Sequence, residues 1–229
     1  DAGRRLHIQL ERGGDAAGAG ARQWAEAAEA YQKVVLSAPS AASFLGRARA
    51  RRATGDLAAA EQAFAEAAAA GGAFEAWLGL GQVRARLGQD PGAADALAQA
   101  VALRLDHAEA QRTLGEVLAR LGRHAEAAAA LEIATRLRTD DGVAWATLGR
   151  AYQALGRDAD AARALARASE IGEGGPDTLL ALADAYAREG RVGEAAAALA
   201  KARAAAPTDA ELQATVAQRL VALSRMDDA

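Results

Sequence analysis

The chain has 229 residues, no cysteine, and a formal net charge of −3 from 27 Lys+Arg and 30 Asp+Glu. The missing cysteines exclude disulfides, thiolate metal sites and a cysteine nucleophile, and the mildly acidic balance argues against a general nucleic-acid binder. No apolar run approaches the about 18 residues that a membrane-spanning helix needs.

The charge is unevenly spread. Residues 1–52 carry nine basic against five acidic side chains, whereas residues 53–229 carry 18 against 25, which predicts a basic front and an acidic rear. Lys33 and Lys201 are the only lysines and asparagine is absent, a pattern read as GC-rich coding bias. The chain starts on Asp1 with no visible signal peptide, so a mature exported protein, a chain trimmed of a tag or an excised domain is expected. A cytoplasmic and a bacterial periplasmic location both remain open.

In chain order, residues 2–12, with Leu6, Ile8 and Leu10, predict a short first helix. The run Gly13-Gly14-Asp15-Ala16-Ala17-Gly18-Ala19-Gly20 predicts a flexible loop; it lacks the preceding strand and the Gly-Lys-Ser/Thr of a phosphate loop. A helix over about 23–36 carries Trp24, Ala27, Tyr31 and Val34 on one face and stops before Pro39.

From residue 41 onward paired helices recur. The second pair places Arg47 and Arg51 where its neighbours carry apolar side chains, so its first helix is expected to be rotated, exposed or covered by a long arginine stem. In the third pair Asp90-Pro91 reads as an N-cap followed by proline at the first helical position. The fifth opens Trp145-Ala146-Thr147-Leu148-Gly149-Arg150-Ala151-Tyr152, breaks at Leu155-Gly156, and continues with Ala161, Leu165 and Ala168 on the inner face of its second helix. Gly149 and Ala161 are the expected close contacts. After Pro207, Thr208-Asp209-Ala210-Glu211 has the form of a capping box, and Leu212, Val216, Leu220 and Leu223 predict a last helix that covers the end of the array.

The period ties these pairs together. Gly55, Gly88, Gly122, Gly156 and Gly190 recur at spacings of 33, 34, 34 and 34 residues. Ala27, Ala60, Ala93, Ala127, Ala161 and Ala195 keep the same beat, with Tyr31, Phe64, Leu97, Leu131, Leu165 and Leu199 four residues after each. On these residues the chain resembles the tetratricopeptide repeat (TPR) family, whose signature is Trp-x2-Leu-Gly-x2-Tyr, then Ala-x3-Phe, then Pro, at a 34-residue period. The resemblance implies an all-α fold, a right-handed superhelix of antiparallel helix hairpins. It divides the chain into a degenerate first repeat at 1–40, repeats at 41–73, 74–107, 108–141, 142–175 and 176–209, and a capping helix at 210–226, all in one array.

In this family the first helices of successive hairpins line a concave groove. The resemblance thus implies a groove wall made of Arg49, Arg52, Gln82, Arg86, Arg112, Glu116, Arg120, Arg150, Gln153, Asp184 and Arg188, with Glu75, Glu109 and Asp177 beside them. One branch of the family grips a chaperone's C-terminal carboxylate with lysine and asparagine, and another holds extended peptides with asparagine ladders. The absence of asparagine disfavours both modes here.

No catalytic constellation stands out. His107 and His124 sit in a repeated His-Ala-Glu-Ala phrase that lacks the cysteines of a zinc deaminase. They are expected in the turn between repeats and at a solvated helix start, and His7 at the surface. No serine lies in a nucleophile elbow, and the pairs Glu109/Glu116 and Asp177/Asp184 stand two helical turns apart. Trp77 and Trp145 are expected in the core. No catalytic residue, cofactor or metal site is therefore assigned.

The function expected is a non-enzymatic scaffold or adaptor that binds a peptide or helix of a partner protein, with an acidic segment meeting Arg49, Arg52, Arg112 and Arg150. The alternative is a targeting or substrate-presenting segment of a larger enzyme or envelope export apparatus. Self-association through the N-terminal helix is a further expectation.

Overall fold

The computed structural model describes residues 17–172 and 175–227. Among them are twelve helices and no strand: α1 Ala17–Ser37, α2 Ala41–Ala53, α3 Leu57–Ala69, α4 Phe74–Arg86, α5 Asp90–Leu103, α6 Ala108–Arg120, α7 His124–Leu137, α8 Gly142–Ala154, α9 Asp158–Ile171, α10 Pro176–Arg188, α11 Val192–Ala205 and α12 Ala210–Asp227. They form two compact units, one with α1 to α5 and the other with α6 to α12. Within each unit every helix packs on the next along the chain.

The turn inside each hairpin is dictated by glycine. Gly55, Gly88, Gly122, Gly156 and Gly190 all adopt φ between 71° and 83°, a left-handed conformation that costs glycine little and other residues more. Each glycine closes a Schellman motif. In the fourth pair the Gly122 N–H reaches Ala119 O at 3.0 Å and the Arg123 N–H reaches Leu118 O at 2.9 Å. The residue after the glycine also serves as N-cap of the second helix, as Asp56, Gln89, Arg123, Arg157 and Arg191 show.

Inside a hairpin the two helices meet at a small residue. A Cβ added to Gly81, Gly115 or Gly149 would lie 2.5 Å from the Cγ of Leu97, Leu131 or Leu165, respectively. Those three leucines are fully buried. Between hairpins a second small-to-large match applies. Tyr31 and Phe64 are aromatic, and a Cβ on Gly46 or Gly79 of the next first helix would collide with their rings. Where the second helix carries Leu131 or Leu165 instead, the equivalent positions of the next hairpin are Thr147 and Ala181. The bulk of one side chain thus sets the size allowed to the other.

Three sequence expectations are corrected. Gly18 and Gly20 are helical, because α1 begins at Ala17. Packing of Trp24, Ala27 and Ala28 against Ala50 outweighs a glycine penalty of about 1 kcal/mol per residue. The first helix expected at 2–12, the loop residues 13–16 and His7 lie outside the described residues. Asp90 is the first helical residue rather than the cap; the cap is Gln89, whose N–H is already bonded to Arg84 O at 2.9 Å in the Schellman turn. At the last helix Asp209, not Thr208, caps: its Oδ1 accepts from the Leu212 N–H at 3.0 Å. A reciprocal capping box occurs instead at Ser40 and Ser43, at the start of α2.

Arg47 shows how a cation can stand at an apolar position. Its side chain is 12% exposed and ion-paired to Glu66, it donates to Gln32 Oε1 at 2.9 Å, and it lies 5.6 Å from the Phe44 ring. The helix therefore keeps its register and covers the arginine. At the other end, Leu212, Val216 and Leu223 of α12 are buried against α10 and α11.

The small-to-large match is testable by a double-mutant cycle. Gly79→Ala should lower stability in urea unfolding by about 1–3 kcal/mol, despite alanine's better helix propensity. In a Phe64→Leu background the same change should cost at least about 0.5 kcal/mol less. An equal cost in both backgrounds would contradict the match.

Candidate functional site

Successive first helices approach one another, α2 with α4 in the first unit and α6 with α8, α8 with α10 in the second, whereas successive second helices do not. Each stack is therefore drawn in on the side of its first helices. The groove residues expected from sequence lie on these helices, and the structure sorts them into two kinds.

Most brace one helix to the next. Arg52 donates to Gln82 Oε1 at 3.0 Å across α2 and α4 and stands 5.7 Å from the Phe64 ring. Arg112 pairs with Glu116 at 2.5 Å on its own helix and with Asp141 at 3.4 Å on the next; Asp141 also caps α8 by accepting from the Ala144 N–H at 3.0 Å. Gln153 donates to Ala181 O at 2.8 Å, joining α8 to α10. Asp184 pairs with Arg219 of α12 at 3.1 Å, and Arg188 with Asp158 at 3.1 Å. Two others, Arg86 and Arg150, are exposed and have no partner among the described residues. Arg49 is half-buried on α2 and is itself engaged.

Glu116, Arg120 and Arg150 come together around a cavity of about 410 Å3 between α6, α8 and the start of α7, completed by Ala119, His124, Thr147 and Ala151. Sequence reasoning missed His124 and Thr147. His124 is half-buried and its Nδ1 has no hydrogen-bond partner, so it faces a recess rather than open solvent. Its place as first residue of α7 was legible; the cavity beside it was not. His107 behaves otherwise: it caps α6, its Nδ1 accepting from the Ala110 N–H at 3.2 Å. Among the described residues no group of three or more potential metal ligands exists and no helix is long and apolar enough to cross a membrane.

The second-helix side carries its own chemistry. Tyr152 donates to Glu132 Oε1 at 2.7 Å and its ring supports the Arg157 guanidinium at 4.3 Å. Burial, and then the Glu132 carboxylate, push the phenol up to about 12. Trp77 packs into the core with Phe64 and Leu80. Trp145 is half-buried and donates to Thr139 O at 3.1 Å.

Paired helices at a fixed period, each closed by a left-handed glycine and keyed by a small residue, define a helical-repeat scaffold. A tetratricopeptide repeat model matches residues 12–73, 45–104, 79–142 and 146–210, and the chain belongs to that family. Among solved structures it is similar to YrrB, a TPR protein with an unusual peptide-binding site, at 23% identity over 83% of this chain and 99% of that one, TM-score 0.75. It is similar to MamA at 25% identity over 75% and 94% of the two chains, TM-score 0.67. A MamA fragment from Desulfovibrio magneticus RS-1 gives 20% identity over 74% and 97%, TM-score 0.66. No curated protein matches the chain. The fold is that of a protein–protein interaction scaffold.

Two titrations follow from the geometry. Tyr152 has a folded pKa above the about 10 of an unfolded tyrosine, so the stability it supplies is complete below pH about 10 and is lost as pH rises toward about 12. Tyr152→Phe should cost about 1 kcal/mol at pH 7 and flatten the alkaline loss of stability between urea midpoints at pH 8 and pH 11. An unchanged alkaline slope would contradict the assignment. The Asp184 carboxyl is raised above 3.8 by burial, against the pull of Arg219 and Arg188. Its favourable contribution is present below the unfolded value and fades as pH rises through the folded one. Asp184→Asn should thus leave stability at pH 7 equal or higher; a loss above about 1 kcal/mol would refute this.

Proposed function

We propose that the chain is a non-enzymatic adaptor whose first-helix faces bind a peptide or helix of a partner protein, the bound segment being acidic. The observation that carries this is the cavity of about 410 Å3 on the first-helix side, with the exposed and unpartnered Arg150 at its edge. Glu116, the acidic residue of the lining, is already answered by Arg112 at 2.5 Å, so the charge left to a ligand is positive. In the other unit the exposed and unpartnered Arg86 gives the first-helix face a cation of its own.

Residues that brace the helices supply the rigidity that lets such a face bind at small entropic cost. In this reading Arg52, Gln82, Arg112, Gln153, Asp184 and Arg188 contribute by holding the wall in place, and Arg86 and Arg150 by meeting the partner's charge, with Arg49 and Arg120, each already engaged within the protein, beside them. A peptide-binding site on a TPR protein of like fold, YrrB, supports a peptide as the occupant.

The test starts from a partner captured from native extract, with affinity measured by titration calorimetry. Arg120→Glu with Arg150→Glu should weaken binding at least tenfold. Arg203→Glu, on the second helix α11, should change it less than twofold. Affinity should fall as salt rises, because the Debye length shrinks from about 10 Å at 0.1 M to about 3 Å at 1 M. Equal affinities for the wild type and the Arg120/Arg150 double variant would remove the groove from the account.

A further inference from the structure

Two clefts of similar size lie on the second-helix side of the second unit, one repeat apart. The upstream cleft, about 280 Å3, lies between α7, α8 and α9; the downstream one, about 300 Å3, between α9, α10 and α11. Their linings correspond at a spacing of 34 residues: Glu132 with Ala166, Thr135 with Ser169, Leu148 with Leu182, Tyr152 with Tyr186, Asp160 with Glu194. Both tyrosines carry an arginine on the ring face, Arg157 at 4.3 Å and Arg191 at 4.3 Å. Each arginine is tied to the acid three residues on, Asp160 or Glu194.

The two clefts differ in their charged groups: Glu132, Arg136 and Arg163 upstream correspond to Ala166, Glu170 and Ala197 downstream, and Lys201 lines the downstream cleft alone. Upstream, the Glu132 carboxylate enters the cleft, accepts from the Tyr152 hydroxyl at 2.7 Å and stands 4.0 Å from Arg157 Nη1. Downstream, Ala166 occupies that position, and the Tyr186 hydroxyl has no hydrogen-bond partner among the described residues. The charged groups lining the downstream cleft are Glu170, Glu194 and Lys201. Glu170 is paired with Arg167 at 3.0 Å and Glu194 with Arg191. Lys201 is exposed and has no partner among the described residues. The downstream cleft therefore offers a hydroxyl donor and an unanswered cation over an apolar floor of Leu182 and Ala198, and lacks the carboxylate that its sister repeat supplies from within.

We infer that the cleft between α9, α10 and α11 is a second binding site, which takes an aspartate or glutamate side chain of a protein partner against Tyr186 and Lys201. The incoming carboxylate stands where Glu132 stands one repeat earlier. This site is separate from the first-helix groove and does not depend on it. A scaffold with both would hold one partner segment on each side.

Propionate reproduces the glutamate side chain from its Cβ outward and serves as probe. The protein has three tyrosines, Tyr31, Tyr152 and Tyr186, so ring-13C-labelled tyrosine gives three readable sites in an NMR titration with sodium propionate, at ionic strength held constant with sodium chloride. The Tyr186 resonances should shift saturably, with a Kd on the order of 10 mM, while Tyr31 and Tyr152 stay put. Glu132→Ala should make Tyr152 respond as well, Ala166→Glu should abolish the Tyr186 response, and Lys201→Gln should weaken it severalfold. Acetyl-Ala-Glu-Ala-amide should bind at least as tightly as propionate, and its glutamine counterpart should not bind. No Tyr186 response in the wild type, a response that survives Ala166→Glu, or equal shifts at all three tyrosines would overturn the site. A tripeptide bound tenfold more weakly than propionate would assign the cleft to a free carboxylic acid and overturn the protein partner.

Discussion

Two helices can lie side by side at the distance seen in these hairpins only if one of them presents almost nothing at the crossing. Gly81, Gly115 and Gly149 leave that space, and Leu97, Leu131 and Leu165 fill it from the partner helix. The contact is worth more than its area. Burying a leucine fully contributes about 1.5–3 kcal/mol, and because neither side chain can grow or shrink without overpacking or a void, the contact also fixes the register of one helix against the other. The glycine at the hairpin tip then needs only to turn the chain, since the second helix already has one position to occupy.

Register at the crossing decides which side chains face outward on the first helices. Once fixed, neighbouring first helices can be joined through polar groups about one repeat apart, such as Arg52 with Gln82 and Gln153 with Ala181 O. These bonds convert part of a polar wall into fixed structure. What is left over, chiefly Arg86 and Arg150, is available for another molecule, and the division between bracing and binding residues is a consequence of packing rather than of the charge pattern.

The glycine beat and the alanine-then-large spacing were legible because each reports a backbone or volume constraint that repeats with every hairpin. The family and the hairpins follow from them. Less legible were features set by neighbours distant in sequence. Gly18 and Gly20 read locally as a loop, yet the face of Ala27 and Ala28, with the half-buried Trp24, packs on Ala50 and carries the helix through them. Arg47 reads as misplaced until Glu66 and Gln32 are seen beside it. Thr208 satisfies the capping-box pattern, but Asp209 is the residue that accepts the bond. His124 reads as a solvated helix start because nothing in its own segment shows the recess formed with α6 and α8. The exchange of Glu132 for Ala166 is plain in the sequence, and gains meaning only once Tyr186 is seen without the carboxylate that Tyr152 has.

Photo-crosslinking tests most directly whether the first-helix face is where another protein sits. A benzophenone amino acid placed at position 154, exposed on α8 one turn beyond Arg150, and at position 129, on the exposed side of α7, would be irradiated in native extract at low salt. The account predicts a discrete protein adduct from position 154 that is lost on adding salt, and none from position 129. An adduct from position 129 with none from position 154 would contradict it.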